Sequence, residues 1–90
     1  MFKTLEELIA AIRKRKGSSV EESYTKKLLN DKNFSAEKVK EEIAELIEAI
    51  EKNSNKIHEA ADVLYHLMVL LEANGIKIED VMDELKKRQK

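Results

Sequence analysis

Five acidic residues recur at helical spacing in the segment KEEIAELIEAIEKNSNKIHEAADVLYHL, which covers positions 40–67. They are Glu41, Glu42, Glu45, Glu59 and Asp62. The second and third of these are three residues apart, and so are the last two. At about 100° per residue, each such pair lies on one side of a helix. Four carboxylates that converge in a partly buried space repel one another unless a cation or retained protons offset their charge.

The all-oxygen composition of this set determines which cation it would bind. Carboxylate oxygens select a hard divalent ion, so Glu42, Glu45, Glu59 and Asp62 predict a Mg²⁺ site, with Mn²⁺ as a substitute. The alternative is a solvated helical face with i, i+4 salt bridges, which is the commoner outcome of such spacing. A di-iron bundle would need Glu-x-x-His, and the sequence contains no such tetrad. We interpret His66 as a packed, hydrogen-bonded residue rather than a ligand.

Length and charge limit the remaining possibilities. Ninety residues make one domain, covering 1–90, which buries only about 60% of its unfolded surface. With no cysteine for disulfides or thiolate-zinc sites, oligomerisation is the expected remedy. With a net charge of −1, the chain has no overall positive potential that would attract nucleic acid. The basic run at 13–16 is interpreted as a solvated helix end. Short apolar stretches and an N-terminal segment unlike a secretory signal predict a cytoplasmic protein with no membrane partner.

The composition predicts an all-α fold, because the chain has no proline, two glycines and 39% charged residues. Apolar periodicity predicts five helices. They cover about 5–16, 20–30, 36–52, 56–74 and 79–88. The predicted N-caps of the first three are Thr4, Ser19 and Ser35, and Gly17 and Gly75 are predicted to end the first and fourth.

The third and fourth predicted helices should position the carboxylates. A short connection at 53–55 predicts that they form an antiparallel hairpin. The fourth helix is apolar around most of its circumference, so other helices should pack against most of its sides. In a chain this small, another subunit should provide some of these packing contacts. We therefore expect a homodimer or a higher homo-oligomer with the fourth helix in the interface.

The acidic motifs, Glu-Glu-x-x-Glu at 41–45 and Glu-x-x-Asp at 59–62, resemble those of the MazG-like all-α nucleoside triphosphate pyrophosphohydrolases. Further segments resemble the phosphoribosyl-ATP pyrophosphohydrolase family of histidine biosynthesis. They are SYTKKLLND at 23–31, KVKEEIAE at 38–45, EAADVLYHLMVLL at 59–71 and GIKIEDVMDELKKR at 75–88. The likeness extends from position 5 onwards. Lys40 and Ile43 depart from the glycine and alanine more usual in that family, and neither change removes a carboxylate.

This resemblance implies Mg²⁺-dependent hydrolysis of phosphoribosyl-ATP to phosphoribosyl-AMP and pyrophosphate. It implies that Glu42, Glu45, Glu59 and Asp62 hold the metal, and that Glu41 or Glu45 orients or deprotonates the attacking water. The residues expected at the phosphates or ribose of the substrate are Tyr24, Thr25, Lys27 and Lys38. Two alternatives stay open: a MazG-like enzyme for another nucleoside triphosphate, which shares the acidic motif, and a non-enzymatic helical oligomerisation module.

Overall fold

The computed structural model describes residues 1–17 and 23–89, and within them it consists of five α-helices and no β-strand. These are α1 (Lys3–Lys16), α2 (Tyr24–Asn30), α3 (Lys32–Lys52), α4 (Lys56–Ala73) and α5 (Ile78–Arg88). The all-α prediction is therefore confirmed. None of these helices has both the length and the apolar character needed to cross a membrane.

The start of α3 differs from the prediction. Ser35 was expected to cap it, but the helix begins at Lys32 and the preceding Asp31 is the N-cap. The Asp31 carboxylate accepts a hydrogen bond from the Phe34 backbone N–H at 3.0 Å. Ser35 is therefore inside the first turns of the helix, where its side chain is buried. Both residue types cap helices well, and Asp31 is the one that stays in an extended conformation.

The N-terminal end of α2 also lies later than expected. Ser23, which the periodicity placed inside the helix, has an extended backbone and accepts a hydrogen bond from the Lys26 N–H at 3.0 Å. It is therefore the N-cap. The predicted cap Ser19 and the predicted first helical residue Val20 lie outside the described residues.

At the start of α1 the predicted cap Thr4 is wrong, because the helix begins at Lys3, Phe2 is the N-cap, and no side chain caps this end. The predicted ends of α1 and α4 agree with the structure. α1 ends at Lys16, with Gly17 as its C-cap. α4 ends at Ala73, shortly before Gly75, whose φ of 69° is in the left-handed region that glycine tolerates.

The hairpin that carries the acidic residues is formed by α3 and α4, which make the most extensive interhelical contact among the described residues. Asn53 and Asn55 turn the chain between them with φ values of 53° and 56°. Asparagine is one of the few side chains that adopt this left-handed conformation readily. The predicted antiparallel hairpin is therefore confirmed.

The apolar core lies to one side of this hairpin. It is built from α1, α2 and the second half of α4, with Ile12, Leu28 and Val69 almost fully buried. Residues Ile9, Leu29 and Met68 complete it. Since α2 contacts both α3 and α4, the core holds α2 beside the hairpin.

A second apolar surface remains exposed. Ile43, Ile47 and Ile50 lie on one face of α3 at i, i+4, i+7 spacing, and each is about half exposed. On α4, Leu64 is also about half exposed and Ile57 is 88% exposed. These five residues form the outer apolar face of the hairpin. Residues 1–17 and 23–89 thus cover only part of the apolar surface of α3 and α4.

Candidate metal centre and substrate site

The hairpin brings the predicted metal ligands into two overlapping groups. One carboxylate oxygen from each of Glu42, Glu45 and Glu59 lies within 4.8 Å of the other two. Ligand atoms of His58, Glu59 and Asp62 meet the same 4.8 Å limit. Glu59 belongs to both groups, so the i, i+3 pairs from the two helices do face each other. We call these five residues the acidic cluster.

Burial and mutual repulsion make the acidic cluster unfavourable when its carboxylates are charged. Glu42 is only 6% exposed. Burial, followed by its contact with Glu45, raises the pKa of Glu42 above the ordinary value. Burial also raises the pKa of Glu59, and the charges of Glu45 and Asp62 add to the effect. Removing carboxylates from water and placing them together both favour the protonated form.

Two oxygens of the acidic cluster are buried without a hydrogen-bond partner among the described residues. They are Oε2 of Glu42 and Oε2 of Glu59. Buried polar atoms in folded proteins nearly always have a partner. Unpaired acceptor atoms on two converging carboxylates are therefore what a site for a bound cation would present.

Lys38 lies at the edge of the acidic cluster. Its Nζ is 3.4 Å from Oε2 of Glu41 and 3.7 Å from Oε1 of Glu42. Burial opposes the charge on Lys38, but the neighbouring Tyr24, Glu41 and Glu42 outweigh it and raise the pKa. The side chain of Glu41 is 56% exposed and belongs to neither ligand group. Glu45 is exposed as well, so membership of a ligand group distinguishes the two residues proposed for water activation.

His58 is a member of the acidic cluster that the sequence patterns missed. Its Nε2 lies 3.3 Å from Oδ2 of Asp62, one helical turn further along α4. Its position in the sequence does not match the Glu-x-x-His spacing of di-iron bundles. The available signal was its i, i+4 relation to Asp62, which puts the two side chains on the same face.

The three predicted substrate-binding residues of α2 differ from one another in their contacts. Tyr24 is about half exposed and close enough to Lys38 for that charge to influence its pKa. The Thr25 hydroxyl makes a hydrogen bond with the Tyr65 hydroxyl on α4. Lys27 extends over the Phe34 ring, with its Nζ 4.6 Å from the ring centroid. The structure therefore brings Tyr24 and Lys38 together, while Lys27 makes a cation–π contact.

His66 is buried and uses both ring nitrogens, so its interpretation as a packed, hydrogen-bonded residue is confirmed. Nε2 is 2.8 Å from the Tyr24 hydroxyl, and Nδ1 is 2.8 Å from the backbone carbonyl oxygen of Asp62. It thus connects α2 with the part of α4 that carries the acidic cluster.

The basic run at 13–16 is not simply solvated. Arg13 contacts Glu72 through Nε at 2.8 Å and holds Glu79 with two further hydrogen bonds, of 2.8 and 2.6 Å. Lys16 donates to the backbone carbonyl of Glu72 at 2.7 Å. The prediction of a solvated helix end is wrong for these two residues, because acidic partners distant in sequence lie against them.

The fold and the acidic cluster define a class: an all-α domain with a carboxylate-lined candidate metal centre between two antiparallel helices. The family model for phosphoribosyl-ATP pyrophosphohydrolase matches residues 5–89. The chain belongs to this family, and the resemblance seen in the sequence is confirmed.

Relatives named for this activity or for histidine biosynthesis are similar to nearly the whole chain. A phosphoribosyl-ATP pyrophosphatase of Caulobacter sp. (strain K31) is 41% identical over 91 residues, which covers 99% of this chain and 85% of the relative. The histidine biosynthesis bifunctional protein HisIE of Pyrococcus furiosus is 45% identical over 87 residues, covering 96% of this chain and 41% of the relative. A chloroplastic bifunctional protein of the same name from Arabidopsis thaliana is 43% identical over 93 residues, covering 94% and 33% respectively.

Proposed function

We propose that this chain hydrolyses phosphoribosyl-ATP to phosphoribosyl-AMP and pyrophosphate in histidine biosynthesis, using a divalent cation held by the acidic cluster. Family membership and the names of the relatives support the reaction. The position of the cation site is inferred from one observation. The carboxylates of Glu42, Glu45 and Glu59 converge, and two of these residues have buried oxygens that lack partners among the described residues.

The donor atoms of the acidic cluster fit Mg²⁺, with Mn²⁺ as a substitute, because the carboxylates supply hard oxygen ligands. Glu42, Glu45, Glu59 and Asp62 would hold the ion. When bound, it would supply positive charge for the oxygens of the triphosphate. The orphaned oxygens of Glu42 and Glu59 are the ones most in need of such a partner.

The attacking water is proposed to be oriented by Glu45 or Glu41, which can be told apart. Glu45 contributes to the ligand group, whereas Glu41 is largely exposed and pairs with Lys38. If Glu41 orients the water, Glu41→Gln should keep the metal affinity and lose kcat. If Glu45 does so, Glu41→Gln should retain both. Equilibrium Mn²⁺ binding alongside steady-state kinetics separates the two roles.

The substrate is proposed to contact Tyr24, Thr25, Lys27 and Lys38. Lys38 has the strongest geometric support, because its ammonium group already lies between the carboxylates of Glu41 and Glu42. A lysine supplies a mobile point charge to phosphate oxygens. Once a cation balances the carboxylates, the Lys38 ammonium would be released to contact the substrate.

A pyrophosphate-release assay with phosphoribosyl-ATP, ATP and several deoxynucleoside triphosphates tests the reaction. We expect turnover of phosphoribosyl-ATP with Mg²⁺, none with EDTA, and little turnover of the other nucleotides. Preference for another nucleotide would contradict the substrate assignment. Full activity in Glu42→Gln would contradict the placement of the active site at the acidic cluster. Glu48→Gln, on the exposed face of α3, is the control and should keep its activity.

We also propose that the chain forms a homodimer through the outer apolar face of the hairpin. The support is the half-exposed row Ile43, Ile47 and Ile50 beside the exposed Ile57 of α4. Large exposed apolar patches on small domains commonly mark protein interfaces. Light scattering should show Ile47→Glu as a monomer and the similarly exposed Leu85→Glu on α5 as a dimer. A folded wild-type monomer at micromolar concentration would contradict this.

A cytoplasmic location is proposed on the basis of the cysteine-free sequence, which suits a reducing compartment. Fractionation of cells that express a tagged chain would test it.

A further inference from the structure

Three aromatic rings lie together where α2 meets α4. The Tyr24 and His66 rings are 5.6 Å apart in an edge-on arrangement, and Tyr65 is 5.0 Å from His66 at a similar angle. The two tyrosine rings stack at 6.3 Å. Tyr24 is about half exposed, whereas His66 is buried. The buried imidazole therefore lies behind a tyrosine that solvent and ligands can reach.

The partners of His66 fix which ring nitrogen carries the proton. Nδ1 faces the backbone carbonyl of Asp62 at 2.8 Å, and a carbonyl oxygen only accepts hydrogen bonds. Nδ1 is therefore protonated, which leaves Nε2 as the acceptor of the neutral ring. Burial raises the pKa of Tyr24 above 10.0, so its hydroxyl keeps its proton and donates to Nε2 at 2.8 Å.

We propose that His66 is a positioning residue for Tyr24. The Tyr24 hydroxyl donates to Nε2 of His66, and Nδ1 of His66 donates to the main chain of Asp62. Two hydrogen bonds thus fix the exposed tyrosine of α2 relative to a residue of the acidic cluster on α4. This inference rests on the proposed function, because it takes Tyr24 to contact the substrate.

The hydrogen bonds from Tyr24 to His66 and from His66 to Asp62 hold the Tyr24 ring beside Lys38 and the acidic cluster. Tyr24 and Lys38 are close enough to influence each other's pKa, and Lys38 contacts Glu41 and Glu42. A tyrosine held there borders the place where the triphosphate would meet the acidic cluster. Without His66, the half-exposed Tyr24 ring would keep its stacking on Tyr65, but substrate binding would have to fix the position of its hydroxyl. Ordering a side chain in that way weakens binding.

Nitrogen-15 NMR of the imidazole in the metal-free protein provides the first test. We expect His66 to show a protonated Nδ1 and an unprotonated, hydrogen-bonded Nε2. Tyr24→Phe should shift the Nε2 resonance. Tyr65→Phe, which removes another hydroxyl between the same helices, should leave it in place. A protonated Nε2 in the neutral ring, or no response to Tyr24→Phe, would overturn the inference.

Kinetics supply the second test through two amide variants that mimic opposite ring nitrogens. His66→Asn keeps a donor near Nδ1 and loses the bond to Tyr24, so it should raise KM about two- to tenfold, as Tyr24→Phe should. His66→Gln keeps a group near Nε2 and should raise KM less. The double variant His66→Asn/Tyr24→Phe should be no worse than either single one.

Several results would be decisive. Additive losses in the double variant, or a normal KM for His66→Asn beside an impaired Tyr24→Phe, would overturn the positioning role. Mn²⁺ affinity, measured without substrate, should be unchanged in all variants, and its loss would reassign His66 to the metal centre. If His66→Asn fails to fold, His66→Gln and the Tyr24→Phe spectra decide. Absence of phosphoribosyl-ATP hydrolysis by the wild-type chain would overturn the proposed function alone, because the spectra still test the connection.

Discussion

Two buried glutamates in this chain have opposite surroundings. Glu72, near the end of α4, is met by the guanidinium of Arg13 at 2.8 Å and has Lys16 on its backbone carbonyl. Glu42, in the middle of α3, is at least as buried, but its nearest cation, Lys38, is 3.7 Å away and is shared with Glu41. Its other oxygen has no partner within the part of the chain that the structure describes.

The difference separates acids that stabilise the fold from acids that weaken it. Glu72 ties α1 to α4, and through Arg13 the same group of charges reaches Glu79 on α5. Glu42 has no comparable compensation and lies against further carboxylates, which raises its pKa. An uncompensated buried charge destabilises a protein. Its presence beside Glu45 and Glu59 fits the cation site that we propose, and it does not fit a stabilising role.

The largest expected effect comes from removing charge at the acidic cluster. Glu42→Gln, Glu45→Gln, Glu59→Gln and Asp62→Asn should each lower phosphoribosyl-ATP turnover at least about 100-fold, because loss of even an outer-shell partner of a metal ligand costs 10–100-fold. Their metal-free thermal midpoints should stay level or rise, since repulsion is relieved. Glu48→Gln and Glu51→Gln serve as controls. Variants that lose activity by unfolding would show that these carboxylates are structural.

The paired region should respond in the reverse way. Glu72→Gln keeps the size of the side chain but removes the charge that faces Arg13. We expect the thermal midpoint to fall by about 4–8 °C, the response expected of a domain this small when a charge-assisted hydrogen bond is replaced by a neutral one. Mn²⁺ affinity should be unchanged. Calorimetry and metal titration check both, and an unchanged midpoint with weakened metal binding would reverse the roles of the two regions.

The pH dependence of stability gives a finer comparison. The pKa values of Glu42 and Glu59 are raised above the ordinary 4.5, so the folded chain holds protons that the unfolded chain releases. Their stabilising effect is fully present below about pH 4.5 and is lost as pH rises through the raised values. In EDTA, the thermal midpoint of the wild type should therefore fall relative to Glu42→Gln as pH rises through this window. Parallel profiles would show that repulsion in the acidic cluster is negligible.

Much of this architecture could be predicted because it depends on local patterns. Helical periodicity placed the five helices, and the short connection fixed the antiparallel hairpin. Once the hairpin was fixed, the i, i+3 spacing of Glu42 with Glu45 and of Glu59 with Asp62 determined that the carboxylates would meet.

What the sequence did not predict depends on contacts between distant residues. Nothing near Arg13 in the sequence indicates that Glu72, 59 positions later, will neutralise it. The bond between Tyr24 and His66 spans 42 positions in the same way. The predicted start of α3 was wrong for a related reason. Asp31 and Ser35 are both suitable N-caps, and the packing of the folded chain, which buries Ser35, decided between them.

The smallest expected effect separates the two partners of Arg13. Hydrogen bonding to Arg13 lowers the pKa of Glu79 to about 2. Its stabilising contribution is therefore present above the ordinary value of 4.5 and is lost as pH falls through about 2, the reverse of the acidic cluster. The Glu79 side chain is 61% exposed, however, so water and salt weaken this pair far more than the pair with Glu72, which is 11% exposed. Glu79→Gln should lower the thermal midpoint at pH 7 by less than Glu72→Gln does. The loss should shrink in about 1 M salt, where charges are screened within about 3 Å. A larger loss in Glu79→Gln would mean that the attachment of α5, rather than the buried charge of α4, is the main role of Arg13.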